Sequence, residues 1–331
     1  MISDFDSADS RGVQRNANGN RRPKRWLLWP LFAALSMIGG CFSGGAAGDP
    51  DLVWGRHGYS EGRFQKPRAM AADGEGRVYV VDLTARIQVF DAEGQFLRSW
   101  NTPNSEHGRP TGLSIDRDGR LMVADTHYYQ ILFYTPEGEL LPKLTIGGTY
   151  GGGPGEFGFV TDVAQDSQGN FYISEYGEFD RIQKFSPDRK FVCQWGRHGS
   201  APGEFLRPQS IAVDERDQLW VADACNHRLQ VFDLQTDPPT LVKVWGKEGE
   251  AVGQMHYPYG LLLGPDETLY VAEYGSHRIQ KFTREGKSLG VWGGPGRRPG
   301  QLYQPWSVVR DSRDRLHVLD SLNHRVQRIS F

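Results

Sequence analysis

Three histidines stand four residues after an acid: His227 after Asp223, His277 after Glu273 and His324 after Asp320. An imidazole beside a carboxylate is the working unit of general acid–base and nucleophilic catalysis. Each pair recurs in one setting, however: Asn226-His227-Arg228, Ser276-His277-Arg278 and Asn323-His324-Arg325. An active site forms once, so a pair present three times reads as a turn lock. In that reading the acid bonds neighbouring turn groups and the arginine joins the same network. Asp116-Arg117-Asp118-Gly119 has two acids close together but lacks the later ligands and bidentate Glu of a calcium loop, so it reads as an Asp-Gly turn. Gly151-Gly152-Gly153-Pro154-Gly155 is followed by no Lys-Ser/Thr and is a connection, not a phosphate loop. Neither Gly-x-Ser-x-Gly nor His-Glu-x-x-His occurs. Cys193 and Cys225 fall at poorly matched places for a disulfide.

These residues sit in a repeat. A short β run ending in an acid recurs as VYVVD82, LMVAD125, FYISE175, LWVAD223, LYVAE273 and LHVLD320. Ahead of most of these acids stands a proline: Pro67, Pro110, Pro208, Pro258 and Pro305, with Val160 near that place in the third unit. A second β run follows each acid, of the type Arg-Ile-Gln-Val-Phe, and Trp100, Trp195, Trp245 or Trp292 closes four of the units. Each unit thus predicts four short strands: one after the proline, one ending in the acid, one beginning near Arg-x-Gln, and one leading to the tryptophan. Four strands per 40–50 residues is the arithmetic of a propeller blade. The last unit stops after its third strand, while Leu52-Val53-Trp54-Gly55 matches Lys243-Val244-Trp245-Gly246. The expected fold is all-β: a six-bladed β-propeller over residues 51–331, with four antiparallel strands per blade and the last blade closed by the N-terminal strand. A content of 41 glycines in 331 residues agrees with a turn-rich chain.

The first forty residues read as an address. Arg21-Arg22-Pro23-Lys24-Arg25 precedes the apolar run WLLWPLFAALSMIGG, which is short for a membrane span and holds Pro30. It ends Ile38-Gly39-Gly40-Cys41, which resembles the bacterial lipoprotein box. That resemblance implies a signal peptide over 1–40, lipidation at Cys41, a flexible tether over 41–50, export, and anchoring to the cell envelope through lipid alone. Without residues 1–40 the chain has 32 basic and 37 acidic residues, a net charge of −5, which argues against nucleic acid as a partner.

The Asn/Ser-His-Arg-hydrophobic signature, with the upstream proline and Val-Ala-Asp, resembles the NHL repeat family across residues 51–331. Ala85-Arg86, Tyr129-Gln130 and Asp180-Arg181 depart from it by lacking the histidine. The resemblance implies a six-bladed propeller of NHL type. Relatives of this type include binding scaffolds, RNA binders, sensor domains and the peptidyl-hydroxyglycine amidating lyase, and fold alone does not choose among them.

Scaffold positions repeat, so function is sought where the units differ. The residues just after each unit-opening proline are expected at the mouth of the central channel: Arg68, Thr111, Thr161 with Asp162, Gln209, Tyr259 and Trp306. A cation, a carboxylate, an amide and two aromatics suit a polar or peptide-like ligand. The third unit looks like an amidating-lyase blade, and the resemblance implies zinc-binding histidines right after the proline. None of these positions is histidine, and His256, two residues before Pro258, stands alone. No catalytic set or metal site is legible, although a bound calcium or zinc stays open. The expectation is a non-catalytic propeller that binds a protein, peptide or glycan. The alternative is a metal-dependent lyase or hydrolase, amidating-lyase-like or gluconolactonase-like, working in the channel through Arg68, Asp162 and Tyr259.

Overall fold

The computed structural model describes residues 48–106 and 109–331. The expected signal peptide, Cys41 and the expected tether up to residue 47 lie outside the described residues. The rest forms six four-stranded antiparallel sheets. Blade 4 shows the plan. Its strands are Pro208–Val213, Gln218–Asp223, Arg228–Asp233 and Thr240–Trp245, in that order from axis to rim. The inner strands touch in sequence round the ring, and Pro305–Arg310 of blade 6 returns to Ala69–Ala72 of blade 1. The inner and middle strands are buried on both faces, because every blade is covered by its two neighbours, so their residues form near-continuous apolar runs such as LWVAD. The rim strands alternate, as in Thr240–Trp245.

Blade 6 is completed as the sequence predicts. Leu52–Trp54 pairs with Arg325–Ile329 through Leu52↔Arg328, Val53↔Gln327 and Trp54↔Val326. Trp54 then packs on Phe64 and Phe90, with ring centroids 5.9 and 4.5 Å away, so one side chain joins blade 6 to blade 1.

Two features of the inner strands set the shape of the channel mouth. In blades 3 to 6 the pairing of the first two strands slips at one residue, namely Thr161, Gln209, Tyr259 and Trp306. A bulge leaves that residue unpaired and re-aims its side chain. Elsewhere the inner strands lie very close. A Cβ added at Gly112 would stand 2.3 Å from the Thr161 carbonyl oxygen, and one at Gly260 would stand 2.8 Å from that of Trp306. Only glycine permits that approach.

Candidate functional site

The acid, arginine and glutamine of every repeat but the second, where Gln130 and Leu132 stand in the places of the arginine and glutamine, form the lock that holds the mouth loops. Asp223 is fully buried. Its Oδ1 accepts the backbone N–H of Leu206 at 2.7 Å. Its Oδ2 accepts Asn226 Nδ2 at 2.8 Å, Arg228 Nε at 2.8 Å and Gln230 Nε2 at 3.0 Å. Gln230 in turn accepts the Gly203 N–H and donates to the Glu204 carbonyl. Asp320 and Glu273 repeat the pattern with Tyr303 and His256 as backbone donors. Burial raises the carboxyls of Asp223 and Asp320 above their usual range, against the several bonds that hold the ionised form. The Asp-Gly reading of the outer turns also holds: Asp116 Oδ1 accepts the N–H groups of Asp118 and Arg120 at 2.9 and 2.8 Å, and its Oδ2 takes Arg120 Nε.

The histidines depart from the expectation. None of the three bonds the acid of its own turn. Instead each reaches the opening loop of the next blade. His227 Nδ1 accepts the Tyr257 N–H at 3.1 Å, His277 Nδ1 that of Gln304 at 2.9 Å, and His324 Nδ1 that of Lys66 at 3.0 Å. Asp180 stands in the corresponding place of blade 3, where its Oδ1 accepts the Arg207 N–H at 2.8 Å. The histidine is therefore a joint between blades rather than part of a turn lock.

His256 does not stand alone either. Its ring stacks on that of His227 at 5.3 Å, and Glu248 lies 3.7 Å from His227 Nε2, so the three groups converge. The joint opposes a metal there. A backbone N–H can only donate, so His227 Nδ1 holds its lone pair and the ring proton sits on Nε2, the atom that faces Glu248. Coordination through Nε2 would require that joint to break.

A cavity of about 400 Å³ opens along the axis and is lined by Arg68, Thr111, Asp162, Gln209, Tyr259 and Trp306 among others. Thr161 does not line it. Its hydroxyl lies 2.7 Å from that of Ser174 and donates to the Pro208 carbonyl at 2.6 Å, tying blade 3 to blade 4. Thr111 is likewise engaged with the Thr126 hydroxyl at 2.8 Å. Asp162 is a strap between three blades: its oxygens accept the N–H groups of Val163 and Ile211 at 2.9 and 3.0 Å, Ser210 Oγ at 3.0 Å and Ser114 Oγ at 3.5 Å. Burial pushes its carboxyl up to about 6 in spite of these bonds. A raised carboxyl contributes stability that is full below pH 3.8 and is lost as pH rises through 6. Asp162→Asn is therefore expected to gain on the wild type between pH 4 and 7, by roughly 2 kcal/mol across that range. Denaturant unfolding of both proteins at the two ends of the range checks this, and an unchanged difference would refute it.

The remaining mouth residues form an aromatic and cationic group that sequence reading assembled only in part. Tyr259 stacks on Tyr274 at 4.4 Å and meets Trp306 edge-on at 5.0 Å. The Arg68 guanidinium lies 5.3 Å above the Trp306 ring. Arg207, which is not among the residues that line the cavity, lies over Tyr176 at 4.5 Å and over Tyr259 at 5.2 Å, and its Nε donates to Gln209 Oε1 at 2.9 Å. Arg181, Arg228, Arg278, Arg284 and Arg325 are all ion-paired with buried acids. Arg207 forms no ion pair among the described residues, and its Nη1 and Nη2 have no hydrogen-bond partner there. The indole N–H of Trp306 is buried without an acceptor among the described residues. Arg207 occupies the position before the blade-opening proline, where blades 1, 2, 5 and 6 carry Lys66, Arg109, Tyr257 and Gln304. That position varies as freely as the one after the proline, and this variation was the available signal.

Residues 205–232 match the NHL repeat. A stretch of 194 residues, 56% of this chain, is 32% identical to peptidyl-glycine alpha-amidating monooxygenase A of Xenopus laevis and covers 20% of that protein. NHL repeat-containing protein 3 of Mus musculus is 32% identical over 174 residues, which is 49% of this chain and 50% of that one. The chain thus spans a fifth to a half of the length of these curated relatives. Among solved structures, virginiamycin B lyase from Staphylococcus aureus aligns with a TM-score of 0.57 at 12% identity, covering 85% of this chain and 95% of that one, a likeness of fold.

Proposed function

We propose that this propeller is an exported protein, lipid-anchored at Cys41 to the bacterial envelope, whose channel mouth binds the carboxylate of a peptide without transforming it. The observation that carries the reading is Arg207. A guanidinium clamped against two tyrosine rings, with its Nε already held by Gln209, keeps Nη1 and Nη2 without a hydrogen-bond partner among the described residues, a two-donor edge. That edge matches the two oxygens of a carboxylate. Arg68 adds a second positive charge across the mouth, and Tyr259 and Trp306 offer apolar faces for the rest of the ligand. The likeness to proteins that act on peptidyl-glycine supports a peptide over a glycan.

The test is calorimetric titration with short acetylated peptides bearing either a free or an amidated C-terminus, and with a uronate sugar. Binding of the free-acid peptide is expected, with loss of about 10- to 100-fold on amidation or in Arg207→Met, and a partial loss in Arg207→Lys, which keeps charge but not the fork. Equal affinity for the amidated peptide would overturn the carboxylate reading, and preference for the uronate would replace peptide by glycan.

The second reading is a lyase at the same site, favoured by a 29% identity over 134 residues, 37% of this chain, to peptidyl-alpha-hydroxyglycine alpha-amidating lyase 1 of Drosophila melanogaster, of which it covers 25%. Incubation with a peptidyl-hydroxyglycine and elemental analysis of the purified protein separate the two. Turnover with a stoichiometric metal would establish the lyase.

A further inference from the structure

We infer that His227, His277 and His324 are positioning residues that hold Tyr259, Trp306 and Arg68 at the mouth only while their imidazoles are neutral, so that mild acid loosens this half of the ring together. The consequence for ligand binding rests on the function proposed above, whereas the joint itself does not.

The argument begins with donors and acceptors. Each Nδ1 accepts a backbone N–H from the next blade. The ring proton therefore sits on Nε2, and a second proton can only go to Nδ1. Protonation turns the acceptor into a donor facing a donor. The bond is lost and a positive charge is left against the amide.

The place of these bonds gives them leverage. The three amides belong to Tyr257, Gln304 and Lys66, and each lies two residues before a mouth residue, with a proline between: Pro258 before Tyr259, Pro305 before Trp306 and Pro67 before Arg68. Proline fixes its own φ, so little play separates the anchored amide from the mouth side chain. Both sides of the joint are also strained. The histidines have φ of 55°, 54° and 56°, and Tyr257, Gln304 and Lys66 have φ of 51°, 53° and 45°. Such left-handed conformations are unfavourable for a non-glycine residue and persist where surroundings hold them. Release of the bond frees a residue already disposed to move.

The groups around each ring determine how readily it takes the proton. His227 faces Glu248, His256 and Tyr257. His277 faces Asp320, Glu250 and His256, with Tyr303 against its ring. His324 faces His57 at 4.5 Å, Lys66 and Asp82. Burial is the largest influence on all three and holds them below the ordinary imidazole value of 6.5; the acids oppose it and the neighbouring histidines reinforce it. A depressed imidazole contributes stability that is full above 6.5 and is lost as pH falls through the folded value.

Blade 3 supplies the internal control. Asp180 makes the same joint to Arg207 through Oδ1 while His198 Nδ1 lies 2.5 Å from its Oδ2, and a carboxyl oxygen still accepts whether or not its partner oxygen carries a proton. Arg207 is therefore the fixed jaw of the mouth, and Tyr259, Trp306 and Arg68 are the acid-sensitive one.

The test is amide hydrogen exchange on the wild-type protein at about pH 7.5 and about pH 5.5, corrected for intrinsic exchange. Protection of the Lys66, Tyr257 and Gln304 amides is expected to fall about ten-fold at the lower pH, while that of Arg207 holds. The triple variant H227N/H277N/H324N replaces Nδ1 by an amide oxygen that does not titrate, in a residue that tolerates a left-handed φ. It is expected to keep all four amides protected at both values. Four amides that move together, or three that stay protected in acid, would overturn the inference. A ten-fold fall that the asparagine variant shares would do so as well. These readouts need no ligand, so a failure of peptide binding leaves them intact. If the peptide binds, its affinity is expected to fall in acid for the wild type and not for the variant.

Discussion

Removal of residues 51–55 is expected to collapse the propeller, not merely to trim it. The deleted strand supplies the outer strand of blade 6, and with it Trp54, which is 8% exposed and seated between Phe64 and Phe90 at the junction with blade 1. Trp54→Ala alone is expected to cost about 3–5 kcal/mol, the range for emptying a large aromatic site. In a chain of this size that lowers Tm by on the order of 10 °C. The deletion adds to this the loss of the pairing to Arg325–Ile329 and exposes that strand as an open edge. Thermal unfolding of chains beginning at residue 42 and at residue 56 checks the expectation. An unchanged midpoint would mean that blades 6 and 1 hold each other without the strand.

The second large effect is expected at the buried acids. Asp223→Ala leaves the Arg228 guanidinium, the Asn226 and Gln230 amides and the Leu206 N–H without their shared acceptor. Breaking a buried charge pair from one side costs about 3–5 kcal/mol, because the charge that stays behind is uncompensated. The repeat provides its own control. Blades 3 and 5 carry Glu175 and Glu273 in the same place, with bonds to the arginine and glutamine that correspond to those of Asp223. Asp223→Glu is therefore expected to lie within about 1 kcal/mol of the wild type. Urea unfolding of the pair measures both. A glutamate variant as unstable as the alanine variant would show that the lock depends on side-chain length rather than on charge and bonding.

What the sequence made legible were the features that repeat. Acid-ending strands, Asp-Gly turns, the arginine and glutamine of the third strand, and the match of Leu52–Gly55 to a rim strand all place elements by local pattern, and six copies make the pattern stand out. The joints were harder to see because the partner of each histidine is a backbone group in the next blade, 30 residues on for His227 and Tyr257. A backbone donor has no residue type to read. His256 meets His227 for the same reason: the two lie on either side of a blade boundary. At the mouth, the residues after the prolines were found, but the bulges that aim them were not, and Thr161 turns its hydroxyl into the seam between blades. Arg207 was missed because the side chain that carries the proposed site lies one residue before the proline instead of one after it.

The strand that closes blade 6 also has a temporal meaning. Leu52 and its partner Arg328 are 276 residues apart along the chain. Bringing such distant segments together costs on the order of 5 kcal/mol of chain entropy in a flexible polymer, far more than any hairpin within a blade demands. The first five blades have all their strands in one continuous stretch and can pair as they are synthesised. The sixth cannot be finished until its last strand exists, while a segment made at the start waits unpaired. Completion of the ring is thus a late event coupled to the whole chain, and an export route that delivers this polypeptide unfolded would leave the final stitch to be made on the far side.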